Sequence, residues 1–273
     1  MTYQNIEDIL NKLKRLIKKN LLVTLAATVV TLNQGYQLSQ GLYYKYNWKE
    51  VEQSKIDRIV PTTSIRYIEG ILGQPEIEST IDEFLGINIY KEREYWVSAV
   101  YEKKSYETLI VSFTACDSFR PHFNNNPTGK TIKLGETKMS DNGDEVAQFY
   151  FLSGATAPSY FFEKFYHGNP SRYQSVYIGI SEICALGDAL QYTALTNISN
   201  IDELVETLDG PIDFSRYPYT FYPKSDPSIS ELRDKVPINT YSITSPKLND
   251  QYERIIEDGI YFAGPPDDLV RIF

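Results

Sequence analysis

The chain has 273 residues, of which 42% are hydrophobic and 23% charged, and its net charge is −9. This length and balance are typical of one large or two small folded domains and exclude a mainly disordered chain. The acidic charge argues against a general nucleic-acid-binding protein, which would carry basic patches. The 22 tyrosines and 13 phenylalanines favour β-structure and aromatic binding surfaces.

The N-terminal region contains a charge-free stretch, Leu21 to Tyr44, that follows a run of basic residues. A helix needs about 20 mostly apolar residues to cross the bilayer core. The stretch passes this test of length, although its densest apolar part ends at Leu32. The sequence therefore predicts a single membrane-spanning helix. Two other interpretations stay open: a cleaved signal peptide, and a helix buried in a soluble protein.

This prediction divides the chain into two parts. Residues 1–44 form a basic lead-in and membrane anchor, and residues 45–273 form a globular body, with a further boundary at residues 116–130 left open. Lysine and arginine are slightly more frequent before the stretch than just after it. The positive-inside rule then places the body outside the cytoplasm.

The first elements of the body are predicted to be helices. Lys45 to Val60 is helical and ends at Pro61. Ser64 caps a second helix that runs through Leu72 and is ended by the glycine and proline that follow.

The middle of the chain alternates apolar and polar residues with the period of β-strands. The predicted strands are Ile87 to Lys91, Tyr95 to Tyr101, Tyr106 to Thr114, Thr131 to Leu134, Val146 to Leu152 and Tyr173 to Ile180. The second and third form a hairpin around the polar turn Glu102 to Ser105. An aromatic segment, Tyr160 to His167, lies between the last two. This order predicts antiparallel β-meanders.

Helical patterns return in the last third. Asn200 with Glu203 forms a capping box, and Ser228 begins a short helix that ends at Pro237. Lys247 to Asp258 is a third helix, whose inward residues are Leu248, Tyr252, Ile255 and Ile256. The predicted fold class is therefore α+β: an N-terminal helix, then antiparallel β-meanders with short packed helices and an apolar tail that docks on the body.

No complete catalytic, cofactor-binding or metal-binding motif is present, so the sequence predicts no catalytic residue, cofactor or metal ligand. The cysteines, Cys116 and Cys184, would pair in an oxidising compartment and would be small buried residues in a reducing one. An enzyme of unrecognised type remains the alternative, a hydrolase that uses carboxylates or Cys116.

The run Arg216 to Pro223 is aromatic and spaced by prolines, which favours an extended backbone. We interpret it as a surface that binds a protein partner. The candidate residues are Arg216, Tyr217, Tyr219, Phe221 and Tyr222.

Three stretches resemble an uncharacterised bacterial family with a short N-terminal membrane span and one α+β body. They are Leu72-Gly73-Gln74-Pro75, Glu94-Tyr95-Trp96-Val97 and Tyr160 through Gly179. The first stretch, followed by the hairpin, is also similar to a module of small outer-membrane assembly lipoproteins, but this chain has no lipobox cysteine. The resemblance implies an anchor and a body, and it implies no catalytic residues.

Together these observations predict a membrane-anchored, non-enzymatic binding, sensor or scaffold module of the bacterial inner membrane, with an unidentified ligand or protein partner. A soluble, defence-related protein is the further alternative.

Overall fold

The structure is a computed structural model. It describes residues 43–116, 118–124, 130–143, 146–152, 160–167, 174–181, 184, 219–221, 233–258 and 261–264, with scattered positions before residue 43. The chain divides into two compact units, Met1–Glu52 and Gln53–Phe273. Helical residues 43–52 belong to the first unit, and helical residues 53–56 open the second.

The predicted membrane-spanning stretch, Leu21 to Tyr44, lies mostly outside the described residues. In the described part of the chain, no helix is long and apolar enough to cross a membrane. The helix predicted at Lys45 to Val60 is present as helical residues 45–56. Val60, at the end of the predicted range, lies after the helical residues and is exposed.

The second unit is built on antiparallel β-strands. They are β1 (Ile77–Thr80), β2 (Leu85–Lys91), β3 (Tyr95–Glu102), β4 (Thr108–Ala115), β5 (His122–Phe123), β6 (Ile132–Lys133), β7 (Gln148–Leu152), β8 (Tyr160–His167), β9 (Gln174–Ser181), β10 (Tyr219–Phe221) and β11 (Thr240–Thr244). Within the described part of the chain, the main sheet has nine strands in the order β1-β2-β3-β4-β11-β9-β8-β7-β10, and β5 pairs with β6 separately. The predicted α+β class with antiparallel meanders is confirmed.

Among the described residues, helices α1 (Ile65–Leu72) and α2 (Asp250–Asp258) accompany the sheet. The side chain of Ser64 caps α1 by accepting from the backbone N–H of Arg66, as predicted. The helix ends at Gly73, whose φ of 90° is open to glycine and costly for other residues. The α2 prediction is also confirmed, and its four predicted inward residues all join one apolar cluster.

Both faces of the sheet are covered, so most strand residues are buried on either side. One face carries Ile87, Val100 and Phe162 and lies under α2. The opposite face includes Val97 and Ile178 and lies partly under α1. We call them the α2 face and the α1 face.

The centre of the sheet is formed by a strand that the sequence did not predict. β11 pairs with β4 through Tyr241 and Phe113, and with β9 through Tyr241 and Ile178. It therefore joins the meander β1–β4 to the meander β7–β9.

The two cysteines form a disulfide, with a Cα–Cα distance of 4.9 Å. The bond links the residue after β4 to the segment after β9. The Asn239 side-chain amide donates to the backbone oxygens of Ser181 at 2.7 Å and Cys184 at 3.1 Å, which fixes this segment beside β11.

Candidate functional site

A buried lysine under α2 contacts two glutamates of that helix. Lys164 lies on β8, and only 4% of its side chain is exposed. Its Nζ donates to Glu253 at 2.9 Å and to Glu257 at 2.7 Å. The glutamates are four residues apart, so they project from the same side of α2.

Three hydroxyl groups complete this arrangement. Tyr150 and Tyr177 donate to Oε1 of Glu257, at 2.6 Å and 2.9 Å. Ser175 donates to Oε1 of Glu253 at 2.6 Å. We call these residues together with Lys164 the lysine cluster. Its donors come from β7, β8 and β9, and its acceptors come from α2.

Protonation determines what the lysine cluster can do chemically. Burial lowers the pKa of Lys164, but the carboxylates of Glu257 and Glu253 outweigh this effect and the pKa is raised overall. Burial, followed by the charge of Glu257, raises the pKa of Tyr150 and of Tyr177. At neutral pH the lysine is therefore charged and both phenols are neutral. These groups act as hydrogen-bond donors to the carboxylates and fasten α2 to the sheet.

Glu163, the residue before Lys164 on β8, makes an ion pair on the α1 face of the sheet. Glu163 is fully buried, and its Oε1 accepts from Nε of Arg233 at 2.6 Å. The same guanidinium donates to the backbone oxygen of Gly143. β8 thus carries adjacent buried charges that point to opposite sides of the sheet, and each is paired.

A second arrangement of charged and aromatic groups is exposed. The guanidinium of Arg66 lies 4.7 Å from the ring centre of Tyr106, and that of Arg58 lies 5.9 Å from the ring of Tyr67. Tyr67 and Tyr106 are each 44% exposed. Each pair includes one residue of the first turn of α1, Arg66 or Tyr67. We call these four residues the basic–aromatic surface.

Two strained residues hold this surface. Among the described residues, Thr62 and Tyr106 are the non-glycine positions with positive φ, at 78° and 59°. Their segments are hydrogen-bonded to each other: Thr62 N–H donates to the oxygen of Thr108, and Ile65 N–H donates to the oxygen of Tyr106. A β-branched residue at positive φ is a genuine outlier, and such strain often accompanies a functional site.

A buried polar pair lies between α1 and the sheet. Asn88 Nδ2 donates to Glu69 of α1 at 3.3 Å and to the hydroxyl of Tyr90 at 3.4 Å. Burial is the main reason that the pKa of Tyr90 is raised to about 12.

The predicted partner-binding residues are only partly described. Tyr219 and Phe221 lie in β10, the strand at one end of the sheet order, and pair with Phe151 and Phe149 of β7. Arg216, Tyr217 and Tyr222 lie outside the described residues. Their surface therefore remains a prediction.

The structure also shows whether Cys116 is free to act as a nucleophile and whether acidic, histidine or cysteine side chains are grouped as metal ligands. Cys116 is bonded to Cys184, so it has no free thiol to act as a nucleophile. In the described ranges, no three His, Cys, Asp or Glu side chains are grouped to hold a metal ion.

Sequence reasoning missed both arrangements described above. A signal for the lysine cluster was present, because Lys164 stands inside an aromatic strand and two glutamates with helical spacing flank the inward Ile256. The basic–aromatic surface had a weaker signal, since Arg66 and Tyr106 are 40 positions apart.

Comparison with family models, with curated protein sequences and with solved structures gives no match to this chain.

Proposed function

We propose that this protein is a non-enzymatic binding module, of the sensor or scaffold type, that recognises an acidic segment of a partner protein. The observation that carries the proposal is the basic–aromatic surface, where two exposed tyrosine rings each lie beneath an arginine. Tyrosine and arginine are enriched at the energetic centres of protein interfaces.

The chemistry of the surface supports an acidic ligand. A guanidinium stacked over a ring retains its N–H edge for hydrogen bonds, and that edge matches a carboxylate. The chain as a whole is acidic, with a net charge of −9. Electrostatic complementarity would therefore direct an acidic segment to this basic patch and away from the remaining surface.

The strain at Thr62 and Tyr106 adds independent support. Each such residue costs about 1–3 kcal/mol and persists where the surrounding structure enforces it. Both lie in the segments that present the basic–aromatic surface.

The described contacts favour binding over catalysis. The lysine cluster is closed by its own hydrogen bonds, and its protonated lysine is not a base. The Cys116 sulfur is part of the disulfide. A hydrolase that used Lys164 or Cys116 would first need the hydrogen bonds of the lysine cluster or the disulfide bond to break.

Selection from a peptide library tests the proposal. Random peptides displayed on phage are selected on the full-length protein, and enriched sequences are synthesised for affinity measurement. We expect acidic peptides with apolar neighbours. Their affinity should fall at least ten-fold for the double variant Arg58→Gln/Arg66→Gln.

Lys91→Gln is the matched control. Its ammonium group also lies over an aromatic ring, that of Trp96, at 5.2 Å, but away from the proposed surface. The control should change affinity less than two-fold. Equal binding of the selected peptides to wild type and the double variant would contradict the proposal, and so would the absence of enriched acidic sequences.

The cellular location of the module remains part of the proposal from sequence. Leu21 to Tyr44 would anchor it in the bacterial inner membrane, with the body outside the cytoplasm. The full-length protein should then stay in the membrane pellet after alkaline carbonate washing, and protease added to spheroplasts should cleave the body. Recovery in the soluble fraction would remove the anchor from the proposal.

A further inference from the structure

Near the β1 edge of the sheet, acidic and aromatic residues surround Asn88 on the α1 face. Tyr90 is opposite Val97, which belongs to that face, and Asn88 lies two residues before Tyr90 on β2. Glu78 of the edge strand β1 is directly opposite Asn88. Residues opposite one another on neighbouring strands share a face, so Glu78, Asn88 and Tyr90 lie side by side.

A helix residue and a second tyrosine complete this group. Glu69 projects from α1 and accepts a hydrogen bond from Asn88 Nδ2 at 3.3 Å. The phenol end of Tyr101 lies on Gly86, where an added Cβ would be 2.7 Å from the hydroxyl oxygen. Gly86 is two residues before Asn88 on the same strand. We call the following residues the acidic–aromatic patch: Glu69, Glu78, Asn88, Tyr90 and Tyr101.

The patch contains a buried acceptor that lacks a donor. Asn88 is only 1% exposed, and its Oδ1 has no hydrogen-bond partner among the described residues. Turning the amide over would not help, because Oδ1 would then face the carboxylate oxygen of Glu69 that Nδ2 now contacts. Buried polar atoms are nearly always paired, so this oxygen needs a donor from outside the described chain.

The two carboxylates of the patch also lack a counter-charge. Within the described part of the chain, neither Glu69 nor Glu78 forms an ion pair. Burial is the largest cause of the raised pKa of Tyr90 and of Tyr101, and the charges of both glutamates raise each pKa further. The patch is therefore a region of negative charge beside two phenol groups.

These features match a cation that has N–H donors. An ammonium group carries one positive charge and three donors, which suit the carbonyl oxygen of Asn88 and the two carboxylates. Tyrosine rings also attract cations. A metal ion suits the patch less, because no three His, Cys, Asp or Glu side chains are grouped for one in the described ranges.

Burial in the patch increases from its edge inwards. Glu78 is exposed on the edge strand, Glu69 is half-buried, and Asn88 is buried. A ligand that enters past Glu78 therefore needs a narrow charged end. A primary ammonium on an unbranched alkyl chain has this shape.

We propose that the acidic–aromatic patch binds the terminal ammonium group of an alkylamine, either a lysine side chain or a free amine. The ammonium group donates to Oδ1 of Asn88 and is paired with Glu69 and Glu78. The site shares no residue with the basic–aromatic surface, although the rings of Tyr101 and Tyr106 stack with centroids 6.5 Å apart. The inference goes beyond the proposed recognition of an acidic segment and does not depend on it.

Isothermal titration calorimetry of the full-length protein with butylammonium at low ionic strength tests the proposal. We expect saturable binding that is weakened about five-fold or more by Glu69→Gln and by Glu78→Gln. Glutamine keeps the size of the side chain and an acceptor oxygen but removes the charge. Glu83→Gln is the matched control, because Glu83 is exposed in the turn between β1 and β2. It should change affinity less than about two-fold.

Asn88→Leu removes the unsatisfied oxygen and should weaken binding about ten-fold. Where this variant does not fold, Glu78→Gln decides the result, since Glu78 is exposed. Butyltrimethylammonium has the same charge but no N–H donor, and it should bind about ten-fold more weakly than butylammonium. Arg58→Gln/Arg66→Gln should bind butylammonium as wild type does, so this site and the basic–aromatic surface can fail separately.

A short uncharged peptide with one lysine distinguishes the two sources of the ammonium group. Binding about ten-fold tighter than that of butylammonium would identify a protein segment as the ligand, and equal affinities would identify a free amine.

Two results would overturn the proposal. The first is equal binding of butylammonium to wild type, Glu69→Gln and Glu78→Gln, which would leave Oδ1 of Asn88 to a buried water molecule. The second is tighter binding of calcium chloride than of butylammonium that Glu78→Gln removes, since this would assign the patch to a metal ion.

Discussion

Helices α1 and α2 are held to the sheet in different ways. α1 contributes Ile65 and Ile68, both buried, and adds one polar contact between Glu69 and Asn88. α2 also buries an apolar residue, Ile256, but it sets two carboxylates on a buried lysine. Apolar packing tolerates small shifts of a helix, whereas a buried ion pair requires a specific position. We therefore infer that the lysine cluster specifies where α2 sits, and that apolar burial chiefly determines how tightly α1 is held.

The strongest test of this comparison is Lys164→Met, which keeps a long, unbranched side chain and removes its charge. The two carboxylates of α2 would then face the sheet without a cation. Breaking a buried ion pair from one side costs about 3–5 kcal/mol. Urea unfolding should show a loss of this size in the free energy of unfolding. The control is Lys133→Met, whose ion pair with Glu136 is exposed and should contribute less than about 1 kcal/mol. Equal effects of the two substitutions would contradict the role of the lysine cluster.

Ile68→Ala examines the other helix. Ile68 has no exposed surface, and truncation of a buried isoleucine to alanine costs about 2–5 kcal/mol. We expect a loss of about 3 kcal/mol in the same urea experiment. The neighbouring residue Tyr67 is exposed, so Tyr67→Ala should cost clearly less. If Ile68→Ala were as mild as Tyr67→Ala, α1 would not be held by apolar burial.

Alkaline pH tests the burial of Tyr90 on the α1 face of the sheet. The pKa of Tyr90 is raised from 10.0 to about 12 in the folded protein. Between these values the unfolded chain loses the proton and the folded chain keeps it, so stability falls as pH rises from 10 to 12. The contribution of this tyrosine to the fall is about 2–3 kcal/mol. Tyr90→Phe should therefore lose less stability than wild type between pH 9 and pH 12, as measured by urea unfolding. Identical slopes would argue against the burial of this phenol.

The smallest expected effect concerns the strained entry to α1. Thr62 has a φ of 78°, and glycine adopts this conformation without steric cost. Replacement by glycine also makes the unfolded chain more flexible, which offsets part of the gain. We expect Thr62→Gly to raise the free energy of unfolding by about 1 kcal/mol or less. Thr80→Gly, in the edge strand β1, should lower it. Destabilisation of equal size in both variants would show that Thr62 is unstrained.

Local signals explain what the sequence predicted correctly. The boundaries of α1 follow from Ser64 and Gly73, which act on the backbone within a few residues. The hairpin of β3 and β4 follows from alternating residues around one polar turn. The inward side of α2 follows from helical periodicity. Each feature depends on residues close together in the sequence.

Features that depend on distant residues were not predicted. β11 is a short strand of threonine, serine, tyrosine and isoleucine, and its neighbours in the sheet are distant in the sequence; Ser175 and Thr244, for example, are 69 residues apart. The lysine cluster joins Lys164 to residues 89 and 93 positions later. No local pattern fixes such pairings, because each strand or helix is compatible with several partners until the whole sheet forms.

The position of β11 also has a consequence for how the chain is made. It is the last described strand to be synthesised, yet it lies between β4 and β9 in the sheet. On the ribosome, the two meanders can each form early, but their facing edges stay unpaired until residues 240–244 have left the exit tunnel. Unpaired edges can associate with other chains, and long-range strand pairing is slow. Assembly of the complete sheet is therefore a late event, and a chain that stops short of β11 would leave two exposed edges for chaperones or proteases to recognise.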